Sequence, residues 1–252
     1  MLLAHEVVGP ESGPAVVLIH GITESRHSWR PIINRLCTTR RVLAVDLRGH
    51  GDSDIVGPYT PIDYASDVLE TMRNAGIDAA AVIGHSLGGV VASAVAALGG
   101  ATAVINVDQP LRLAGFKDGL AQLEPMLRGD NASFQAAVDM LFASMRGPLG
   151  DGESTRIGAL RLARPDVVLG TWASVFESTP EELDATVAPL AHAIAVPFLS
   201  LHGIDPGAEY GPWLTGLVPT ATVELWPDHG HYPHLVDVDR FCGRVESFLG
   251  ER

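Results

Sequence analysis

Six short, continuously apolar runs constrain the fold of this chain more than any other feature of its sequence. Apolar and polar residues do not alternate within them, which is typical of strands that are covered on both faces of a sheet. Helix-like segments lie between the runs, at 25–36, 61–76, 87–98 and 238–249. This alternation predicts the α/β class, with a mostly parallel central sheet flanked by helices. The predicted buried strands are 16–20, 41–46, 79–84, 102–108, 196–203 and 221–226.

Two stretches depart from this alternation. At the amino end, residues 2–8 are predicted to form a further strand, and the Gly/Pro turn at 9–14 predicts an antiparallel hairpin that leads into the sheet. Between 111 and 189 the buried runs stop, and Ala, Leu, Met and Phe recur at helical spacing. We expect residues 1–110 and 190–252 to form the core. Residues 111–189 are then a helical cap, or lid, over the carboxyl ends of the strands, where open α/β sheets bind ligands.

Composition argues against several classes of partner. The chain carries 17 Lys and Arg against 30 Asp and Glu, with a formal net charge of −13. Because no basic cluster is evident, we expect neither nucleic acid nor a membrane surface as a partner. No apolar stretch approaches the roughly 18 residues of a transmembrane helix. The amino end resembles a strand rather than a secretory leader, and the two cysteines form no disulfide framework. A cytoplasmic location is therefore expected.

One serine stands in a glycine frame between a predicted strand and a predicted helix. Gly84-His85-Ser86-Leu87-Gly88 matches the pattern G-x-S-x-G. In that pattern the serine occupies a sharp turn that presents its hydroxyl, and the strand and helix pass too close for side chains at the glycine positions. The amino end of the following helix supplies N–H groups that stabilise a negatively charged oxygen. Ser86 is thus the candidate nucleophile.

Four segments resemble the α/β-hydrolase superfamily, and the likeness covers nearly the whole predicted core. VLIHGITES is similar to the family's oxyanion segment, and VLAVDLRGHGDSD resembles the D-x-R-G-x-G-x-S stretch after the next strand. AVIGHSLGG resembles the nucleophile turn, and DHGHYPHL resembles the late loop that carries the catalytic histidine. The segments stand in the family's order. The resemblance implies an α/β-hydrolase fold and a triad in the chain order Ser, acid, His.

The resemblance places the histidine of the triad at His231 and leaves two candidates for the acid. Asp205 follows run 196–203 at the usual family position, but its loop is one residue shorter than the common pattern. Asp108 ends run 102–108, and Asp108-Gln109-Pro110 is similar to the zearalenone lactonases, which carry the acid at that earlier strand. The acid must reach the histidine to orient its ring. We favour Asp108 and keep Asp205 as the alternative.

The family likeness also implies an oxyanion hole formed by the backbone N–H groups of Ile22 and Leu87. A zinc site in HGHYPH is not expected, because a metal-binding H-x-H-x-D-H motif would need Asp where Pro233 stands. Neither a metal nor a cofactor is expected. Further residues expected at or beside a substrate pocket are His20, Gly21, His27, Trp29, His85 and Trp172.

These parts together predict acyl transfer by a serine hydrolase of carboxylic esters or lactones that acts on a small, apolar molecule. Three alternatives stay open. The same triad can cleave carbon–carbon bonds or run cofactor-free haloperoxidase-like chemistry, since a fold does not define a reaction. The chain could also be a ligand-binding member with a slow triad. Haloalkane dehalogenases and epoxide hydrolases are disfavoured, because those branches need Asp at the position of Ser86.

Overall fold

The computed structural model describes residues 1–250, and one seven-stranded sheet forms the centre of that part of the chain. Its strands are β1 (His5–Val8), β2 (Ala15–Ile19), β3 (Arg41–Val45), β4 (Ala80–His85), β5 (Ala101–Val107), β6 (Phe198–His202) and β7 (Ala221–Leu225). They lie in the order β1-β3-β2-β4-β5-β6-β7. Every neighbouring pair is parallel except β1 with β3. The predicted mostly parallel α/β sheet is confirmed.

The predicted hairpin at the amino end is wrong. β1 pairs antiparallel with β3, from His5 opposite Val45 to Val8 opposite Val42, and not with β2. β3 already pairs with one edge of β2 and β4 pairs with the other, so β2 has no free edge and β1 pairs with the outer edge of β3. The sequence predicted the strand and its direction but not its partner.

The strands of the sheet's centre are buried on both faces, as their composition predicts. In β2, Val16 and Leu18 face one apolar cluster and Val17 and Ile19 face the other, because successive side chains point to opposite faces. β7 departs from the prediction of a fully buried strand. It lies at the edge of the sheet, and its residues are only partly buried or exposed, with Leu225 41% exposed.

Helices cover both faces of the sheet. One face packs against α1 (Arg30–Leu36) and α13 (Val238–Gly250), and the other packs against α2 (Pro61–Asn74) and α3 (Leu87–Ala97). Short helices α11 (Tyr210–Leu217) and α12 (Pro233–Val236) lie near the carboxyl end of the chain. No helix within residues 1–250 is long and apolar enough to cross a membrane.

Between β5 and β6, the described chain forms seven helices and no strand. Phe134 and Phe142 from this segment are buried and join the larger apolar cluster of the sheet. The last of the seven helices ends at His192, three residues beyond the boundary expected for a cap, and the division into core and cap stays a prediction. The helices are α4 (Ala114–Ala121), α5 (Glu124–Leu127), α6 (Asn131–Met145), α7 (Asp151–Leu160), α8 (Pro165–Thr171), α9 (Ala173–Glu177) and α10 (Pro180–His192).

Several histidines are buried, three of them at the carboxyl ends of strands. Burial lowers the pKa of His50 to about 3 and the pKa of His202 to about 4. Burial also lowers the pKa of His20, and it lowers the pKa values of His85 and His234 well below the ordinary value. These imidazoles are therefore neutral in the folded protein at neutral pH.

We predict that the free energy of unfolding falls as the pH drops from 7.5 to 5.5. In the unfolded chain these histidines bind protons below a pKa of about 6.5, whereas in the folded chain they stay neutral. Below that pKa, each such histidine lowers the free energy of unfolding by about 1.4 kcal/mol for every pH unit that the pH falls. Urea unfolding at the two pH values measures the difference. His202→Gln should reduce the number of protons taken up on unfolding at low pH by about one. Equal stability at both pH values would contradict this account.

Candidate active site

Ser86 lies in a strained turn between β4 and α3. Its backbone has φ 52° and ψ −123°, in the left-handed region that residues other than glycine rarely adopt. A methyl group added at Gly84 would overlap the carbonyl of Gly88, and one added at Gly88 would overlap the carbonyl of Ile19. The glycines thus allow strand, turn and helix to pack closely enough to hold Ser86 at this sharp corner.

Asp108 follows the neighbouring strand, directly beside this turn. His85 pairs with Val107 at the ends of β4 and β5, and the N–H of Ser86 donates to the carbonyl of Val107 at 3.0 Å. The Nδ1–H of His231 donates to Asp108 Oδ2 at 2.7 Å, and the two side chains are both buried. Asp108, the sequence's favoured candidate, is thus the carboxylate that contacts His231.

The second oxygen of Asp108 is held by the shortened loop after β6. Asp108 Oδ1 accepts hydrogen bonds from the backbone N–H groups of Gly203 at 2.7 Å and Ile204 at 3.0 Å. Asp205, the alternative acid, is exposed and instead accepts a hydrogen bond from the N–H of Gly207 at 2.8 Å, in a local turn. The loop that lacks one residue therefore presents its amides to Asp108, while its own carboxylate lies at the edge of the cavity and closes a local turn.

Both backbone hydrogen-bonding groups of His231 have partners. Its N–H donates to the carbonyl of Met145 at the end of α6, at 2.9 Å. Its carbonyl accepts from Nε2 of His85 at 2.7 Å. The ring's Nε2, opposite the Asp108 contact, is buried and has no hydrogen-bond partner within the described residues. That nitrogen is free to accept a proton.

The two expected oxyanion residues both border the same cavity as Ser86. Leu87 begins α3, so its N–H has no partner within the helix. The loop that carries Ile22 passes close beside the serine. A methyl group added at Gly21 would lie only 3.3 Å from Ser86 Cβ. His20 braces this loop, since its Nδ1–H donates to the carbonyl of Gly21 at 2.7 Å and its Nε2 accepts from the N–H of Leu47 at 3.0 Å.

Ser86, Asp108 and His231 line one cavity of about 250 Å³ beneath the helices between β5 and β6. The rest of its wall is largely apolar and includes side chains from α3, α4, α6 and the turn between α8 and α9. Trp172, expected at the pocket, lies in this wall and packs edge-to-face on Phe116 with ring centroids 5.5 Å apart. Further apolar wall residues are Val90, Leu113, Leu141, Phe142, Met145 and Val175.

A comparison of the sequence with family models decides the family. Residues 16–244, which span the strands from β2 to β7, match the model described as the alpha/beta hydrolase family. The chain belongs to the α/β-hydrolase family. The family resemblance of the four motifs is confirmed, and the chain is an enzyme of the hydrolase class.

Curated relatives match this α/β-hydrolase over most of its length. The 2-succinyl-6-hydroxy-2,4-cyclohexadiene-1-carboxylate synthase of Serratia proteamaculans is 28% identical, with 98% of each chain covered. The magnesium-chelatase 30 kDa subunit of Rhodobacter capsulatus is 34% identical, with 96% of this chain and 88% of that protein covered. Among solved structures, the enol-lactonase from Burkholderia xenovorans LB400 is 25% identical, with a TM-score of 0.72 and 98% and 96% of the two chains covered.

Five of the residues expected at or beside the pocket lie outside the wall of the hydrolase's cavity. His20 and Gly21 support the oxyanion loop, as described above, and His85 is buried behind His231. Trp29 packs on His234 on the opposite face of the sheet, with ring centroids 4.7 Å apart. His27 is half-buried, and its carbonyl accepts a hydrogen bond from Arg156 on α7. The 3₁₀ turn at Arg26–Trp29 directs the Trp29 indole away from the cavity, into the apolar cluster under α1 and α13.

The histidines of HGHYPH do not converge on a common point. His229 is half-buried, and its ring contacts the carbonyl of Pro227 at 2.8 Å. His234 is buried, and its ring stacks between His85, at 4.6 Å, and Trp29. Within the described residues, no group of three or more His, Cys, Asp or Glu side chains could hold a metal ion.

A buried polar network behind His231 is the part of the site that sequence reasoning missed. Tyr232 donates its O–H to Glu24 Oε1 at 2.9 Å and accepts from Arg161 Nη2 at 3.0 Å. Glu24 Oε2 lies 4.0 Å from Nδ1 of His85. The network joins the oxyanion loop through Glu24, the histidine loop through Tyr232 and the end of α7 through Arg161, which directly follows that helix. A carboxylate inside the otherwise uncharged segment VLIHGITES was the available signal.

The loop between α6 and α7 also contacts the histidine loop directly, backbone against backbone. Gly147 and Gly230 both have positive φ, at 59° and 61°. A methyl group added at Gly147 would lie 2.7 Å from the Cα of Gly230, one residue before His231. Such a contact leaves no room for a side chain.

We predict that Gly147→Ala lowers the free energy of unfolding by about 1–3 kcal/mol, because the added methyl group strains both glycine turns. Gly152→Ala is the matched control. It lies in α7 and would meet open space, so it should be neutral or stabilise by up to about 1 kcal/mol. Urea unfolding of the two variants measures both effects. Equal stability of the two variants would rule out the tight Gly147–Gly230 contact.

Proposed function

We propose that this α/β-hydrolase cleaves carboxylic esters or lactones through a Ser86–His231–Asp108 triad and an acyl-enzyme. One observation carries the proposal. The proton of His231 lies on Nδ1, toward Asp108, while the opposite nitrogen is buried, unpartnered within the described residues, and part of the same cavity wall as Ser86. A general base for a serine hydroxyl needs this arrangement.

In the proposed reaction, Nε2 of His231 takes the proton of Ser86 as Oγ forms a bond to the carbonyl carbon of the substrate. The oxyanion accepts hydrogen bonds from the N–H groups of Ile22 and Leu87. His231 then donates its proton to the leaving alkoxide, which gives the alcohol and an acyl-enzyme. Water, deprotonated by the same nitrogen, attacks the acyl carbon, and the bond to Oγ breaks as His231 returns the proton to Ser86, which releases the acid. In a lactone the leaving alkoxide is part of the same molecule.

The contacts around His231 hold the ring in the position that this reaction requires. Asp108 faces the ring, and the two backbone amides on its other oxygen prevent it from rotating away. His85 and His234 are neutral because burial lowers their pKa values, so neither neighbour opposes a positive charge on His231. The enol-lactonase named above lends support to a lactone or ester substrate.

Substitution of the two candidate acids tests the proposal. Asp108→Asn should lower kcat on p-nitrophenyl butyrate by about 10³–10⁴-fold, because an amide supports the wrong tautomer of His231. Ser86→Ala should abolish turnover. Asp205→Asn should retain activity within about threefold, since its carboxylate only closes a local turn. Initial rates on this ester and on a panel of alkyl lactones measure these effects, with thermal unfolding as a check on folding.

Two results would contradict the proposal in different ways. Loss of activity in Asp205→Asn with retention in Asp108→Asn would assign the acid to the other strand. Failure of folded wild-type protein to turn over any ester or lactone would argue against hydrolysis of these bonds.

A further inference from the structure

No Lys or Arg side chain is among the described residues that line the cavity. Among the described residues that line it, the ionisable side chains are Asp108, Asp205, His231, Tyr59 and Tyr64. Burial raises the pKa values of both tyrosines, which are therefore neutral phenols. The fixed charges of the wall are thus carboxylates, one deep in the site and one at its edge.

Basic residues that adjoin wall residues in sequence are held by other partners. Arg112 lies 3.3 Å from the carboxylate of Asp184. Lys117 donates to two backbone carbonyls of α9, at 2.9 and 3.0 Å. Arg146 lies 2.5 Å from Asp151 and also donates to a backbone carbonyl. A negatively charged ligand in the cavity would meet none of these side chains in their present positions.

The hydrogen-bond donors of the wall are also partly committed. Thr171 donates its hydroxyl proton to the carbonyl of Val167 at 2.8 Å, so at 2.7 Å it accepts the proton of Tyr64. The amide nitrogen of Gln109 donates to the carbonyl of Pro110 at 2.8 Å. Neither hydroxyl can donate to an anion without breaking its own contact, and the Gln109 amide has one N–H left, too few donors to replace the hydration shell of a carboxylate.

We infer that the cavity selects neutral esters or lactones with an apolar acyl group. It rejects substrates whose acyl group carries a free carboxylate in addition to the reacting ester. This inference rests on the proposed function. A carboxylate that entered would lose water without gaining a counter-ion, and it would approach two like charges. The same repulsion acts on the acid that hydrolysis produces, and it therefore promotes release of the product.

Two esters that differ in one charge test the inference. Mono-p-nitrophenyl glutarate carries a free carboxylate, and its methyl ester is neutral and of almost the same size. We expect kcat/KM for the neutral ester to exceed that for the anion by at least about 100-fold, the scale of a like-charge contact in a dry site. Rates measured with Ser86→Ala give the uncatalysed background for subtraction.

A cation introduced into the wall should reduce this preference. Leu113 is half-buried and lines the cavity, so an arginine there can reach the substrate without entering the core. Leu113→Arg should lower the ratio of the two kcat/KM values at least about tenfold, whereas Leu113→Gln, which adds a polar group without charge, should leave the ratio unchanged.

The outcomes separate this inference from the proposed function. Equal kcat/KM values for the two esters, or a faster anionic ester, would overturn the inference while hydrolysis stands. An unchanged ratio in folded Leu113→Arg would show that charge is not the cause of the preference and would also overturn it. Turnover of neither ester by folded wild-type protein would count against the proposed function itself.

Discussion

The rest of the site depends on the carboxylate of Asp108, which joins three parts of the fold. It stands at the end of β5, accepts two amides from the loop after β6, and accepts the Nδ1–H of His231 from the loop after β7. Removal of this group would leave one buried amide, one partly buried amide and a buried histidine without this partner, and an unpaired buried polar group is costly in a protein interior. Gly203 is part of this arrangement, because a side chain there would overlap the carbonyl of Gly230.

His231 is held by the helical segment above the sheet as well as by the core. The carbonyl of Met145 fixes its N–H, and the pair Gly147 and Gly230 brings the two backbones into direct contact. Arg161 extends this support through Tyr232 to Glu24. In the proposed enzyme, these helices therefore position the general base in addition to covering the cavity. Changes in the helices should then affect kcat as well as substrate choice.

The parts of the site that follow from local chain geometry could be predicted from the sequence. Ser86 was evident because its turn needs two glycines at fixed positions between an apolar run and a helix. The choice between Asp108 and Asp205 could not be made from spacing, because it depends on which strand end lies within reach of His231. That distance is determined by the pairing of β5 with β6 and by a loop one residue shorter than usual.

Other features escaped prediction because they depend on partners far along the chain. The strand β1 was recognised, but the edge to which it pairs depends on the order of the whole sheet. Trp29 was expected near the pocket, yet its 3₁₀ turn directs the indole to the opposite face, against His234. The network around Glu24 brings together residues up to 208 positions apart, and the carboxylate in VLIHGITES marks one member of the network but not its partners.

Reaction of the purified protein with a fluorophosphonate, followed by peptide mass spectrometry, tests the central claim most directly. The reagent bonds to a serine only when a general base activates the hydroxyl, and it needs no knowledge of the substrate. The account predicts one stoichiometric adduct, on Ser86, that forms much more slowly in Asp108→Asn. Absence of an adduct on folded protein, or labelling of Asp108→Asn at the wild-type rate, would contradict it.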